Sequence, residues 1–207
     1  RQARPERLAP KGNSRKHNRR VIMVEFQGMP VERIVLPRVH YETLIDHCLR
    51  KLEQRYLEDE TGERKAYGLV GGRLSNGDIT VGRVVPLKKN ARTVEPYKRH
   101  MDELLGRFAI PSETPLDKRA WVADPVEARA ILMDFARNGL ELVGTYHMHR
   151  VGWESDPLRD TPTVLDTALA EDSEVFLFVV STVNPDKPIV RAFFEGVPDK
   201  EVAITSE

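Results

Sequence analysis

Two histidines, His147 and His149, stand one residue apart at the end of an apolar run in the segment GTYHMHRVGWESDPLRD (144–160). Asp160 closes the segment after ten intervening residues. In a β-strand, residues i and i+2 project to the same side, so both imidazoles can address one point while Met148 faces away. A loop that folds back would add the Asp160 carboxylate. Two nitrogens and one oxygen around a zinc ion leave the fourth tetrahedral position to water, the arrangement of a catalytic rather than a structural site. Zinc in such a site lowers the pKa of its water toward about 7 and polarises a carbonyl, which suits amide or isopeptide hydrolysis. Cys48 is the sole cysteine, so an internal disulfide framework and a thiolate-rich zinc cluster are both excluded, and His, Asp and Glu are the metal ligands available. An isolated His-x-His also fits a surface pair or a packed pair, and the surrounding elements decide between these readings.

The elements that must position the pair are legible around it. LELVGTYHMH (140–149) has the character of a buried strand. It follows PVEARAILMDFARNG (125–139), a helix with Asp124 as cap, Pro125 in the first turn, an apolar face of Ala128, Ile131, Leu132 and Phe135, and Gly139 as stop. RAWVADP (119–125) reads as a strand leading into that helix, with Trp121 as a core aromatic. Upstream, RVIMVEFQG and VERIVLP predict a strand pair, and residues 40–57 an amphipathic helix that buries Cys48. AYGLVGGRL (66–74) and DITVGRVVPL (78–87) predict an antiparallel pair turning at Ser75, Asn76 and Gly77. PTVLDTALAE (162–171) predicts a further helix, and EVFLFVVSTV (174–183) and PIVRAFF (188–194) two closing strands. Residues 88–118 form an irregular insertion with one short helix near 97–108, placed to carry recognition. The expected architecture is α/β (α+β), a mixed central β-sheet flanked by helices in layers.

The spacing His-x-His, ten residues, Asp, at the end of a strand preceded by Gly144, resembles the metal signature of the JAMM, or MPN-plus, zinc isopeptidases. AWVADPVEARAILMDFARNGLELVGTYHMH is similar to that family's strand, helix and strand leading into the site. AYGLVGG resembles its upstream strand and VFLFVVSTVNPDKPIVRAFF its closing strands, so the likeness covers about residues 64–194. The resemblance implies a JAMM/MPN-like sheet with the layer order of cytidine deaminases, Zn2+ held by His147, His149 and Asp160, and hydrolysis of the bond after the tail of a ubiquitin-like or sulfur-carrier-like protein.

Two positions depart from the family's pattern. The glutamate that serves as general base stands three residues before the upstream glycine, and counting back from Gly68 gives Lys65. A protonated lysine cannot take a proton from water. Glu63, two residues earlier and on the same side of an extended strand, is the candidate replacement. The serine that stabilises the tetrahedral oxyanion stands three residues before the aspartate, where this chain has Pro157, and Ser155 is the nearest hydroxyl. Arg150 and Trp153 are candidates to clamp an extended substrate tail, as Arg and aromatic anchors do at interfaces. The alternative to an active enzyme is a catalytically impaired MPN-type scaffold or binding module, for which Lys65 and Pro157 argue. The remaining histidines, His17, His40, His47 and His100, suit ordinary surface or packing roles.

The 207 residues carry 32 basic and 32 acidic side chains, and 40% of them are hydrophobic. One domain spanning 21–207 is expected after a basic, flexible arm of residues 1–20, which holds eight Lys or Arg against Glu6. Such an arm suits an acidic partner or nucleic acid, although it carries no aromatic residue to stack bases. No apolar stretch approaches 18 residues and no secretory signal is visible, so a cytoplasmic protein that does not engage membranes is expected.

Overall fold

The structure, a computed structural model, describes residues 23–110 and 114–206. The basic arm of residues 1–20 lies outside the described residues. The chain opens with a small hairpin, β1 (Val24–Phe26) and β2 (Met29–Val31), that turns on Gln27 and Gly28, both with positive φ. The VERIVLP run is thereby divided, its middle forming β3 (Arg33–Val35). Pro37 then ends the extended backbone and α1 (Arg38–Leu52) begins.

The glycine-rich strand β4 (Tyr67–Ser75) and β5 (Asp78–Pro86) form the expected antiparallel pair. Asn76 and Gly77, at φ 52° and 83°, make the two-residue turn. Helix α2 (Tyr97–Phe108) and a 3-10 turn at Leu116–Lys118 follow. RAWVADP forms no strand: its one β-bridge, Ala123 with Asn90, lies outside the strands, and Trp121 packs on Leu69 of β4. The helix after it, α3 (Pro125–Arg137), starts as expected: the Asp124 carboxylate accepts the backbone N–H groups of Val126 at 3.0 Å and Glu127 at 2.9 Å. Then come β6 (Glu141–His149), α4 (Val164–Ala170), β7 (Phe176–Ser181), β8 (Ile189–Phe194) and β9 (Glu201–Thr205).

The expected layered sheet is corrected here. Seven strands close into a barrel in the order β3-β5-β4-β6-β7-β8-β9, which is not the sheet sandwich of the JAMM/MPN architecture. The closing contact is between β3 and β9, parallel, with Arg33 opposite Ala203 and Val35 opposite Thr205. Periodicity marks a strand but not which strand it meets, and EVAIT (201–205) is too short and half-exposed to stand out. Helices and strands are mixed as expected; their arrangement is not.

Both sheet faces are covered. On one, α1 places Leu44 and Cys48 against Ile34, Val70, Ile79, Tyr146 and Phe178. On the other, α3 places Phe135 against Leu69, Leu87 and Trp121. Two β-bulges set which residues face which side. In β4–β6 pairing, Val70 opposite Gly144 is followed by Gly71 opposite Leu142, so Val143 is the extra residue. Val143 and Tyr146 therefore share the α1 face although three positions apart, and the odd-numbered residues beyond the bulge turn to the opposite side. No helix among the described residues is long and apolar enough to cross a membrane.

Candidate metal centre

His147 and His149 lie at the C-terminal end of β6, on the side away from α1, buried at 6% and 5% exposure. Here β6 runs parallel to β7, and α4 is the crossover between them. Ligands gather beyond the carboxyl ends of parallel strands, where the connecting loops diverge.

Each ring is oriented by its surroundings. The His147 imidazole stacks on Tyr67, centroids 5.6 Å apart, and Tyr67 stacks in turn on Trp121 at 5.1 Å. His149 donates from Nδ1 to the carbonyl of Arg159 at 2.8 Å. A carbonyl can only accept, so the proton of neutral His149 is on Nδ1 and its Nε2 lone pair is free to face inward. The two Nε2 atoms are 2.7 Å apart. Burial pushes the His147 imidazole down to about 4, so it is neutral near pH 7 and fit to ligate.

The third group is Asp166, not Asp160. Asp166 Oδ1 lies 3.5 Å from His147 Nε2, and Oδ2 lies 3.5 Å from His149 Nε2. One ligand atom from each of His147, His149 and Asp166 lies within 4.8 Å of the others, so the group can hold a metal ion. Asp166 is fixed by a capping box: its Oδ2 accepts the Thr163 backbone N–H at 2.7 Å, and Thr163 Oγ1 accepts the Asp166 N–H at 3.2 Å. Burial alone would raise the Asp166 carboxyl. The two imidazoles and the Thr163 N–H outweigh burial and hold it well below the usual carboxylate range.

Asp160 points elsewhere, accepting from Arg191 Nη1 at 3.2 Å and so tying the loop to β8. The turn from Trp153 to Asp156 and the left-handed backbone of Arg159, φ 49°, present the Arg159 carbonyl to His149 where the spacing suggests a side chain. The sequence signal for Asp166 was the helix start Thr163-x-x-Asp166, a hydroxyl cap followed three residues later by an acid.

The other expected residues are dispersed. Glu63 accepts from Lys65 at 2.7 Å and from both contacts of Asn90 Nδ2 at 3.3 Å, and it lines neither cavity at the centre. Lys65 also donates to the Ala120 carbonyl at 3.0 Å. Trp153 lines both cavities and Arg150 one of them, whereas Ser155 is exposed and lines neither. Pro157 closes against Gly152, where a Cβ would meet the Pro157 carbonyl at 2.5 Å. Of the insertion, Leu105, Ala109 and Ile110 reach the cavity wall.

The cavity at the histidines is about 360 Å³ and runs from the His147–His149–Asp166 group toward Leu105, Leu165, Leu169 and Phe176. Asp166 is its sole carboxylate among the described residues.

No protein-family model matches this chain, and no curated protein does. Among solved structures, the solution structure of protein DSY2949 from Desulfitobacterium hafniense is similar, with a TM-score of 0.56 and 23% identity over 84% of this chain and 92% of that one. That likeness bears on the fold alone.

Proposed function

We propose that this chain is a zinc-dependent hydrolase of peptide or isopeptide bonds, with the tail of a ubiquitin-like or sulfur-carrier-like protein as substrate, as its resemblance to the JAMM isopeptidases implies. The observation that carries the reading is the convergence of His147, His149 and Asp166 in the wall of a cavity. Two imidazoles and one carboxylate suit zinc with an open position. Zinc supplies a water of lowered pKa and a Lewis acid for the carbonyl.

The chain's own residues supply the rest. With Asp166 as ligand, the residue three before it is Thr163, so a hydroxyl stands where the family's pattern has its serine and where Pro157 offered none. Tyr67 and the Arg159 carbonyl hold the imidazoles in place. Glu63, bound to Lys65, is the proton acceptor in this reading.

That last contact is also the specific observation favouring a second reading, a metal-binding scaffold without activity. The Glu63 carboxylate is engaged by an ammonium and an amide, and it does not line the cavity in which a water on the metal would have to be met. The test is hydrolysis of a tail-linked model amide by protein loaded with zinc. Loss of turnover on Glu63→Gln with zinc content retained supports the hydrolase. An inactive protein that gains activity on Lys65→Glu supports the scaffold.

A further inference from the structure

A second cavity, about 480 Å³, adjoins the first, and His149, Trp153, Arg119 and Arg159 are among the residues that line both. Its cationic lining is Lys65, Lys118, Arg119, Arg150 and Arg159, and no carboxylate lines it among the described residues. Lys65 is neutralised by Glu63. Arg119 donates to the Ile110 carbonyl, and Arg150 and Arg159 have no carboxylate within ion-pair distance among the described residues. The combined space therefore has uncompensated positive charge beside the metal-binding group.

Arg159 is the best placed of these cations. Its guanidinium carbon lies 3.3 Å from the Trp153 ring centre, so the plane is held against an aromatic face. Its Nε is buried with no hydrogen-bond partner. A buried donor left unmade is costly, and the site gives it no acceptor of its own. Burial lowers the guanidinium pKa, against the pull of Asp166 and Asp156. The residue also adopts φ 49°, a conformation costly for a side chain of this size, which sends its carbonyl to His149 and its guanidinium to the cavity wall. Once Asp166 serves a metal, its charge is spent there and Asp156, beyond ion-pair distance, is the carboxylate that still acts on Arg159.

We propose that Arg159 is a substrate-binding residue that takes a carboxylate, so that the bond presented to the metal group lies next to a free carboxylate of the substrate. This rests on the hydrolase reading for its chemistry but not for its binding. A planar guanidinium whose Nη groups are not buried and which lines both cavities matches a carboxylate in paired hydrogen bonds, and a ligand so held would lie in the space that the two cavities share. The apolar wall of Leu105, Leu165 and Leu169 then receives the other side of the substrate. A lysine side chain within a folded protein brings no such carboxylate, and the leaving group this selects is a terminal amino acid.

The probes are N-acetyl-glycyl-glycine and its C-terminal amide, titrated by calorimetry into the zinc-loaded chain, with release of glycine or glycinamide followed in parallel. The carboxylate form binds about tenfold or more tighter than the amide. Arg159→Ala and Arg159→Gln remove that difference, and Arg159→Lys restores part of it. Unchanged unfolding midpoints confirm that these variants fold, since the carbonyl that holds His149 is retained in each. Equal binding of the two probes, no binding of the carboxylate form, or a preference that survives Arg159→Ala overturns the proposal. So does a loss of turnover in Arg159→Ala that is equal for both probes with binding unchanged, because the arginine would then serve the tetrahedral oxygen. Selective binding through Arg159 without hydrolysis leaves this proposal standing and removes the hydrolase. Hydrolysis of both probes at one rate does the reverse.

Discussion

Replacing Asp166 by Asn, beside Asp160→Asn, separates the geometry from the spacing. In Asp166→Asn the amide oxygen still accepts the Thr163 N–H, so the capping box that starts α4 is largely kept and the metal-free protein loses under about 1 kcal/mol. What disappears is the charged ligand 3.5 Å from both imidazoles. Removing a group that merely orients a ligand costs 10- to 100-fold in metal affinity, so a ligand itself costs at least about 100-fold, or about 2.7 kcal/mol. Asp160→Asn loses an ion pair to Arg191, whose guanidinium also holds Glu201 at 2.7 Å, and that costs within about 1 kcal/mol. Urea unfolding with and without zinc reads the difference. At a free zinc concentration about 100 times the wild-type Kd, zinc stabilises the wild type and Asp160→Asn by about 2.7 kcal/mol, and Asp166→Asn by about 0.4 kcal/mol or less. Elemental analysis after dialysis should give near-stoichiometric zinc in the first two and little in the third. Zinc retained by Asp166→Asn and lost from Asp160→Asn would refute the assignment.

Three further perturbations test the frame that holds the centre. His47 is buried and shares a 2.7 Å hydrogen bond with Tyr146, and burial, then Arg50, push its imidazole down to about 4. The unfolded chain therefore takes up the proton first, and stability falls as pH drops from about 6.5 to about 4, by roughly 3 kcal/mol from this residue; urea midpoints of the metal-free protein should show it, and His47→Gln should flatten the slope. Glu60 accepts from Arg50 at 2.5 and 2.6 Å and lies 3.7 Å from the fully buried Lys51. Glu60→Gln leaves those cations uncompensated and costs about 3 kcal/mol by chemical denaturation. A Cβ on Gly68 would meet the Val85 carbonyl at 2.6 Å and collide with the Tyr146 ring, so Gly68→Ala costs about 1–3 kcal/mol and lowers the thermal midpoint, with zinc content as a second readout because Tyr146 neighbours His147.

How far the sequence disclosed this arrangement depends on whether the information is local. Asp124, Pro125 and Gly139 bound α3 because capping and helix termination are decided within a few residues. Asn76-Gly77 marks its hairpin for the same reason, and the shared side of His147 and His149 follows from the two-residue period of a strand. Which face they share was not legible, since the bulge at Val143 reverses the alternation and leaves no sequence mark of its own. The spacing points to Asp160 where the structure brings Asp166 to the two histidines, for a related reason. A count of ten residues measures contour length, whereas the loop from 150 to 163 spends it on a turn at Trp153 and a left-handed residue at Arg159. Asp160 and Asp166 are equally acidic in the sequence, and the rigid start of α4 delivers the second of them. Closure of the barrel was invisible because it joins β3 to a strand about 170 residues later.

The pairing around the histidines has a consequence for the extended substrate tail proposed above. The strand that carries the histidines, β6, is paired with β4 along one edge up to His147 and with β7 along the other up to His149, so at the metal-binding group it offers no free row of backbone N–H and C=O groups on which an incoming peptide could lay itself as an additional strand. An extended tail that reaches His147 and His149 must instead be gripped through side chains and loops. Recognition of that kind reads chemical groups at fixed depths rather than backbone length, and its selectivity is set residue by residue along the cavity walls.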